Sequence, residues 1–130
     1  MKTDAGARGG LQAYQDSVRL DEVSLVTHLR DILGAKLVAY IGSVKETRAM
    51  RQWADGERTP SAEVMKRLRY TYHVAALLAE HDARNTVQAW FQGMNPQLDD
   101  VPPARLLREG LLDDVAPKVL AAARAFTALG

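Results

Sequence analysis

Apolar residues recur every three or four positions along almost the whole chain from Ser17 onward, with no sustained alternation of apolar and polar residues. Spacings of three and four place side chains on one face of an α-helix, whereas a half-buried strand requires a period of two. One such stripe consists of Val23, Val26, Leu29, Ile32 and Leu33. The pattern therefore predicts an all-α fold.

Glycine and proline residues divide this pattern into six or seven helices. Gly34, Gly42 and Gly110 each follow an apolar segment and predict helix ends there. Ser61 follows Pro60 and is a favourable N-cap for the longest helix. The predicted helices end or begin near these residues and cover approximately residues 23–33, 35–41, 45–54, 62–80, 83–92, 104–109 and 113–129.

The length of 130 residues suits one compact domain, or two small ones that share a core. Residues 1–16 begin with a segment rich in Gly, Ala and charge, and we expect them to form a disordered leader. The longest apolar runs, at 37–41 and 74–79, are far shorter than the ~20 residues that span a bilayer. Because the chain has no Cys and no signal-peptide pattern, we expect a cytoplasmic protein.

Charge is unevenly distributed along the chain. The formal net charge is +1, which excludes only a uniformly basic nucleic-acid coat protein. Residues 34–73 contain eight Lys and Arg against four Asp and Glu, a local charge of +4. Residues 94–130 contain four basic and five acidic residues, a local charge of −1. The basic middle is the segment to examine for a nucleic-acid partner.

The two short helices predicted at 35–41 and 45–54 are joined by a turn that contains Gly42, the outline of a helix-turn-helix. Val44, Met50 and Trp53 can face inward, which leaves polar side chains suited to phosphates and base edges on the outer and end faces. These are Lys45, Thr47, Arg48, Arg51 and Gln52. An ordinary amphipathic helix with a solvated basic face fits the same spacing, and Glu46 would repel phosphate.

The sequence does not indicate an enzyme. Its three imidazoles, His28, His73 and His81, show no His-x-x-x-His spacing, and the chain has no Gly-rich phosphate loop or Gly-x-Ser-x-Gly motif. Adjacent acids at 99–100 are typical of a solvated turn. We therefore expect no catalytic residues, no metal site and no cofactor.

Two segments resemble parts of a known family. Residues 41–60, IGSVKETRAMRQWADGERTP, resemble the Xre-type helix-turn-helix, in which a Trp near the end of the recognition helix precedes Gly and Pro. Residues 89–110, AWFQGMNPQLDDVPPARLLREG, resemble the toxin-binding domain of the Xre/MbcA/ParS antitoxins. In that domain a Trp-containing helix precedes an Asn-Pro-x-Leu loop, a Pro and a Leu-Leu helix that Gly closes. Within the second segment, Asn95 can hydrogen-bond its own backbone, while Trp90, Phe91 and Leu98 suit the core.

The resemblance implies an Xre-like helix-turn-helix bundle at residues 17–81, followed by a small helical toxin-binding domain at residues 82–130. It also implies the antitoxin of a type II toxin–antitoxin pair, which neutralises an NAD-consuming RES-domain toxin and represses its own operon by binding operator DNA. A stand-alone helix-turn-helix regulator, and a protein-binding module that no longer reads DNA, are the alternatives.

By position, the resemblance implies two sets of contact residues. The DNA-facing candidates are Lys45, Thr47, Arg48, Arg51, Gln52 and Arg58. The toxin-facing candidates are Arg105, Arg108, Lys118, Arg124 and Phe126. A single short helix buries little DNA, so we also expect a homodimer. Its surface could include the exposed stripe of the long helix, or Val115, Val119, Leu120 and Ala123 of the last one.

Overall fold

The computed structural model describes residues 2–129, with side chains from residue 10 onward, and this range is helical without a β-strand. The prediction of an all-α fold is confirmed. In chain order, the elements are α1 (Lys2–Arg19), α2 (Glu22–Leu33), α3 (Ala35–Ile41), α4 (Thr47–Ala54), α5 (Ala62–Ala79), α6 (Arg84–Gln92), a 3₁₀ turn (Pro96–Leu98), α7 (Pro103–Glu109) and α8 (Leu112–Leu129).

Most helix ends lie where the sequence predicts them, because local side-chain chemistry sets them. Ser61 Oγ accepts a hydrogen bond from the Val64 N–H at 3.2 Å and caps α5. Gly34 ends α2 with φ of 86°, a conformation that glycine adopts readily. Asp21 caps α2 by accepting from the Ser24 N–H at 2.7 Å, and this bond lowers the pKa of the carboxyl.

The helices enclose one hydrophobic core. Its fully buried side chains include Leu25 of α2, Leu68 of α5, Phe91 of α6, Leu107 of α7 and Val119 of α8. Across the expected boundary at residues 81 and 82, α2 packs on α6, α3 on α7, and α5 on α8. The two predicted regions therefore share their core.

The N-terminal segment differs from the expectation of a disordered leader at residues 1–16. That expectation is wrong at residues 10–16, which belong to α1 and pack against α5. Ala13 and Ser17, four residues apart, are both buried, and such small side chains allow two helices to approach closely. The Arg69 guanidinium of α5 donates to the Ser17 and Leu20 carbonyls at 3.0 and 2.8 Å. Met1 lies outside the described residues.

The last helix uses its apolar stripe inside the monomer. Val119 and Ala123 belong to the core, Val115 is also buried, and Leu120 is partly buried. Their suggested contribution to a dimer surface is therefore wrong for the three buried side chains. Within residues 2–129, no helix is long and apolar enough to cross a membrane.

Candidate functional site

The inner face of α4 is fixed by burial. Met50 is fully buried and Trp53 is 5% exposed, and α4 packs against α2 and α3. A Cβ on Gly42, in the turn before α4, would come within 3.3 Å of the Trp53 ring and 3.2 Å of the Val38 carbonyl oxygen. The absence of a side chain at Gly42 thus lets the Trp53 ring lie against the turn.

The turn between α3 and α4 is longer than the sequence predicts. The Val44 N–H donates to the Ala39 carbonyl at 3.0 Å, and Ser43 adopts a left-handed conformation with φ of 61°. As a result α4 begins at Thr47 rather than near Lys45, and Glu46 is its N-cap residue. Lys45 therefore lies in the turn before α4 and not on the helix itself.

The outer side of α4 forms a groove of about 460 Å³, which we call the basic groove. Lys45, Arg48 and Arg58 are exposed and Gln52 is half-buried. Arg58 reaches the groove because the loop after α4 folds back, with the N–H groups of Glu57 and Arg58 both donating to the Gln52 carbonyl. The lining residues are Val44, Lys45, Glu46, Arg48, Ala49, Gln52 and Arg58.

The structure thus brings four of the six DNA-facing candidates together. Thr47 is half-buried and Arg51 is exposed, and both lie on α4 outside the groove lining. Among the described side chains, none of the charged groups in the basic groove forms an ion pair within 4.0 Å. The cations are therefore available to an external anion, and the face has the chemistry of a phosphate-contacting surface.

The two toxin-facing candidates on α7 have different surroundings. Arg105 is exposed, and its Nε donates to Glu109 at 3.1 Å. Arg108 is half-buried: its Nη1 donates to the Tyr40 carbonyl at 2.7 Å, and its guanidinium carbon lies 4.6 Å from the centre of the Tyr40 ring. Arg108 therefore joins α7 to the end of α3 by a charged hydrogen bond and a cation–π contact.

The three candidates on α8 do not form one patch. Lys118 and Arg124 are exposed. Phe126 is 37% exposed and its ring centre lies 6.4 Å from that of Trp90 on α6. Burial lowers the pKa of His73 on α5, and the positive charge of Arg124 lowers it further.

The loop between α6 and α7 has the conformation that its sequence predicts. Asn95 Oδ1 accepts a hydrogen bond from the Gln97 N–H at 2.9 Å, and Pro96 begins the 3₁₀ turn. Leu98 is 6% exposed and Phe91 is fully buried, which confirms their expected place in the core. Trp90 is only partly buried against that core. This loop positions α7 on the bundle.

Two further surfaces are not predicted by the sequence motifs. A mostly apolar cleft of about 330 Å³ lies between α3, α6 and α7, with Lys36 and Arg105 at its rim and Leu37 and Ala104 in its floor. A second groove, of about 470 Å³, lies along the contact between α1 and α5, beside the exposed Tyr14 and Val18. Neither could be found from spacing, because each depends on how distant helices pack.

Within the described part of the chain, no three His, Asp or Glu side chains are grouped so that they could hold a metal ion.

The comparison with known proteins found a likeness to one solved structure. No protein-family model matches the chain, and no curated protein matches it. The chain does resemble a chain of the crystal structure of the M. tuberculosis MbcT–MbcA toxin–antitoxin complex, with 28% identity and a TM-score of 0.62. The match covers 79% of this chain and 94% of the other.

Proposed function

We propose that this protein is the antitoxin of a type II toxin–antitoxin pair, which acts in the cytoplasm by neutralising its toxin and by repressing its own operon. The observation that carries the proposal is the structural likeness to a chain of a toxin–antitoxin complex, which extends over 94% of that chain. The Asn-Pro-x-Leu segment at residues 95–98 supports the antitoxin rather than the toxin assignment, because it resembles the toxin-binding domain of Xre/MbcA/ParS antitoxins.

The proposed partner is a RES-domain toxin that consumes NAD, as the sequence resemblance implies. Its contact surface would include Arg105 on α7 and Lys118, Arg124 and Phe126 on α8. Since Arg124 and Phe126 are two residues apart on α8 and therefore lie on different sides of the helix, the toxin would have to cover more than one side of α8. Arg108 would contribute mainly by holding α7 in place, because its guanidinium already contacts Tyr40.

Co-expression with the toxin encoded beside its gene tests the neutralisation. We expect the two proteins to co-purify, and we expect growth and cellular NAD to be preserved. The double variant Lys118→Glu with Phe126→Ala should lose this protection yet keep operator binding. The absence of both co-purification and protection with the wild-type chain would contradict the antitoxin assignment.

The DNA-binding part of the proposal assigns operator contact to the basic groove and to Arg51. Two copies of α4 must lie about 34–36 Å apart to reach successive major grooves, so we also propose a homodimer. Arg48→Ala with Arg51→Ala should weaken binding to the promoter fragment and reduce the slope of log affinity against log salt by up to about 1.8, or about 0.9 per lost phosphate contact. This variant should still neutralise the toxin, and light scattering should give the mass of a dimer.

A stand-alone transcriptional regulator is the second candidate function. It is favoured by one observation: the basic groove is complete in the isolated chain and uses no residue of α7 or α8. Operator binding without any toxin partner encoded nearby, and without co-purification of a second protein, would support this function over the antitoxin.

A further inference from the structure

Glu46 lies at the start of α4, but its side chain does not stabilise the helix by capping it. It is the N-cap residue of α4, with φ of −128° and ψ of 154°, but its side chain makes no capping hydrogen bond. By contrast, Asp21 and Ser61 cap α2 and α5 with side-chain hydrogen bonds of 2.7 and 3.2 Å. Ser, Thr, Asp and Asn are the preferred capping residues, so Glu contributes little to α4 as a cap.

The carboxylate also remains unpaired in a cationic setting. Glu46 lines the basic groove together with Lys45, Arg48 and Arg58, yet among the described residues it forms no ion pair within 4.0 Å. A negative charge in this groove opposes the phosphate backbone of DNA. A surface that bound only the backbone would therefore bind more tightly without Glu46.

We infer that Glu46 selects cytosine at one position of each operator half-site by accepting a hydrogen bond from the exocyclic amino group of the base in the major groove. Glu46 lies directly before the first residues of α4, the part of a recognition helix that contacts base edges. A carboxylate pairs with the N4 amino group of cytosine, whereas Gln pairs with adenine. This inference rests on the proposed operator binding. It identifies Glu46 as the residue that reads one base of the operator, a cytosine.

Selection from randomised duplexes compares the wild-type chain with Glu46→Gln and Glu57→Gln. Both variants raise the net charge by one, so both should bind non-specific DNA slightly more tightly. Glu57 is an exposed residue of the loop after α4 and lies outside the groove lining, which makes it the matched control. The wild-type chain and Glu57→Gln should prefer cytosine at the same position by roughly 5- to 150-fold. Glu46→Gln should lose that preference or change it to adenine.

The outcomes separate the inference from the proposal on which it rests. Salt-dependent DNA binding by the wild-type chain without a cytosine preference, or an unchanged preference in Glu46→Gln, would overturn the role of Glu46 and leave operator binding intact. Loss of the preference in both variants would also overturn it, because a general charge effect would then explain the change. If the wild-type chain bound no duplex even at low salt, operator binding and the inference would both fail.

Discussion

At the scale of single residues, Arg105 and Arg108 show how the surroundings decide what a side chain can do. Both lie on α7, and the family resemblance implies contact with a toxin for both. Arg105 is exposed with a surface ion pair, whereas Arg108 contacts the backbone and the ring of Tyr40. Spacing along the helix does not predict this difference between the two arginines, because the Tyr40 carbonyl that accepts from Arg108 is 68 residues away in the chain.

Arg108→Ala should lower the free energy of unfolding by about 1–3 kcal/mol, because it removes a charged hydrogen bond and a cation–π contact. The Tyr40 carbonyl would keep one partner, since it also accepts from the Ser43 N–H at 3.1 Å. Urea unfolding measures the change. Arg105→Ala is the matched control and should cost less than about 1 kcal/mol, because it breaks only an exposed ion pair. Equal effects would contradict the structural role of Arg108.

His73 is the buried imidazole of the described residues. It is 8% exposed, its ring lies edge-on to Tyr14 with ring centres 5.4 Å apart, and burial together with the charge of Arg124 lowers its pKa. A lowered pKa in the folded state means that the unfolded chain takes up the proton first as pH falls. Stability from this residue is therefore complete above the ordinary pKa of about 6.5 and is lost below it.

Because of His73, the free energy of unfolding should be lower at pH 5.5 than at pH 7.5. Urea titrations at the two pH values measure the difference. His73→Gln should reduce that difference, because it removes the titrating ring. His81→Gln, which removes an exposed imidazole at the end of α5, should leave more of it in place. An identical pH dependence in the wild-type chain and His73→Gln would refute the assignment.

At the scale of helices, the corner between α7 and α8 depends on a glycine for space rather than for backbone conformation. Gly110 has φ of −81°, which any residue can adopt. A Cβ there would lie 2.5 Å from Val115 Cγ1 and 2.8 Å from the Leu106 carbonyl oxygen. The end of α7 and the start of α8 thus approach each other too closely for any side chain.

Gly110→Ala should therefore destabilise the fold by about 1–3 kcal/mol, the usual cost of overpacking. Gly10→Ala is a control with the opposite expectation. Its Cβ would meet only Leu77 Cδ1 at 3.6 Å, and alanine favours a helix over glycine by up to about 1 kcal/mol. Thermal or urea unfolding of both variants measures the difference. Tolerance of Gly110→Ala would show that the corner can open without loss of packing.

The helices also show which boundaries local sequence can predict. Ser61 and Gly34 determine their helix ends through bonds or dihedral angles within a few residues, and both were predicted. α4 begins later than its sequence predicts, because the hydrogen bond from the Val44 N–H to the Ala39 carbonyl extends the turn. The sequence does not predict α1 at residues 10–16, because the buried residues of this helix, Ala13 and Ser17, are too small to make an apolar stripe.

At the scale of the whole molecule, the two regions that the sequence motifs define are parts of one core. Phe91, Leu107 and Val119 lie in the second region, and their helices pack on α2, α3 and α5 of the first. A surface that contacts a partner on α7 or α8 is therefore connected by direct packing to the helices that position the basic groove.

Separate fragments of residues 17–81 and 82–130 should each lack cooperative unfolding, because each would expose its half of the shared core. Circular dichroism with urea titration should show partial helicity without a sharp transition for either fragment. Mixing or co-expressing the two should restore the helicity of an intact chain of residues 17–130. Cooperative unfolding of 17–81 alone, with a midpoint near that of the full chain, would show two independent domains.

The sequence by itself determined the helical class, most helix boundaries and the two family-like segments, because apolar periodicity and capping chemistry act within a few residues. It also assigned six residues to one DNA-facing surface: Thr47, Arg51 and the four groove residues Lys45, Arg48, Gln52 and Arg58. Only the tertiary structure decided that these four share a groove with Glu46, that Arg108 is held by Tyr40, and that Val115, Val119 and Ala123 are internal. The physical reason is that burial and pairing depend on contacts between helices far apart in the chain.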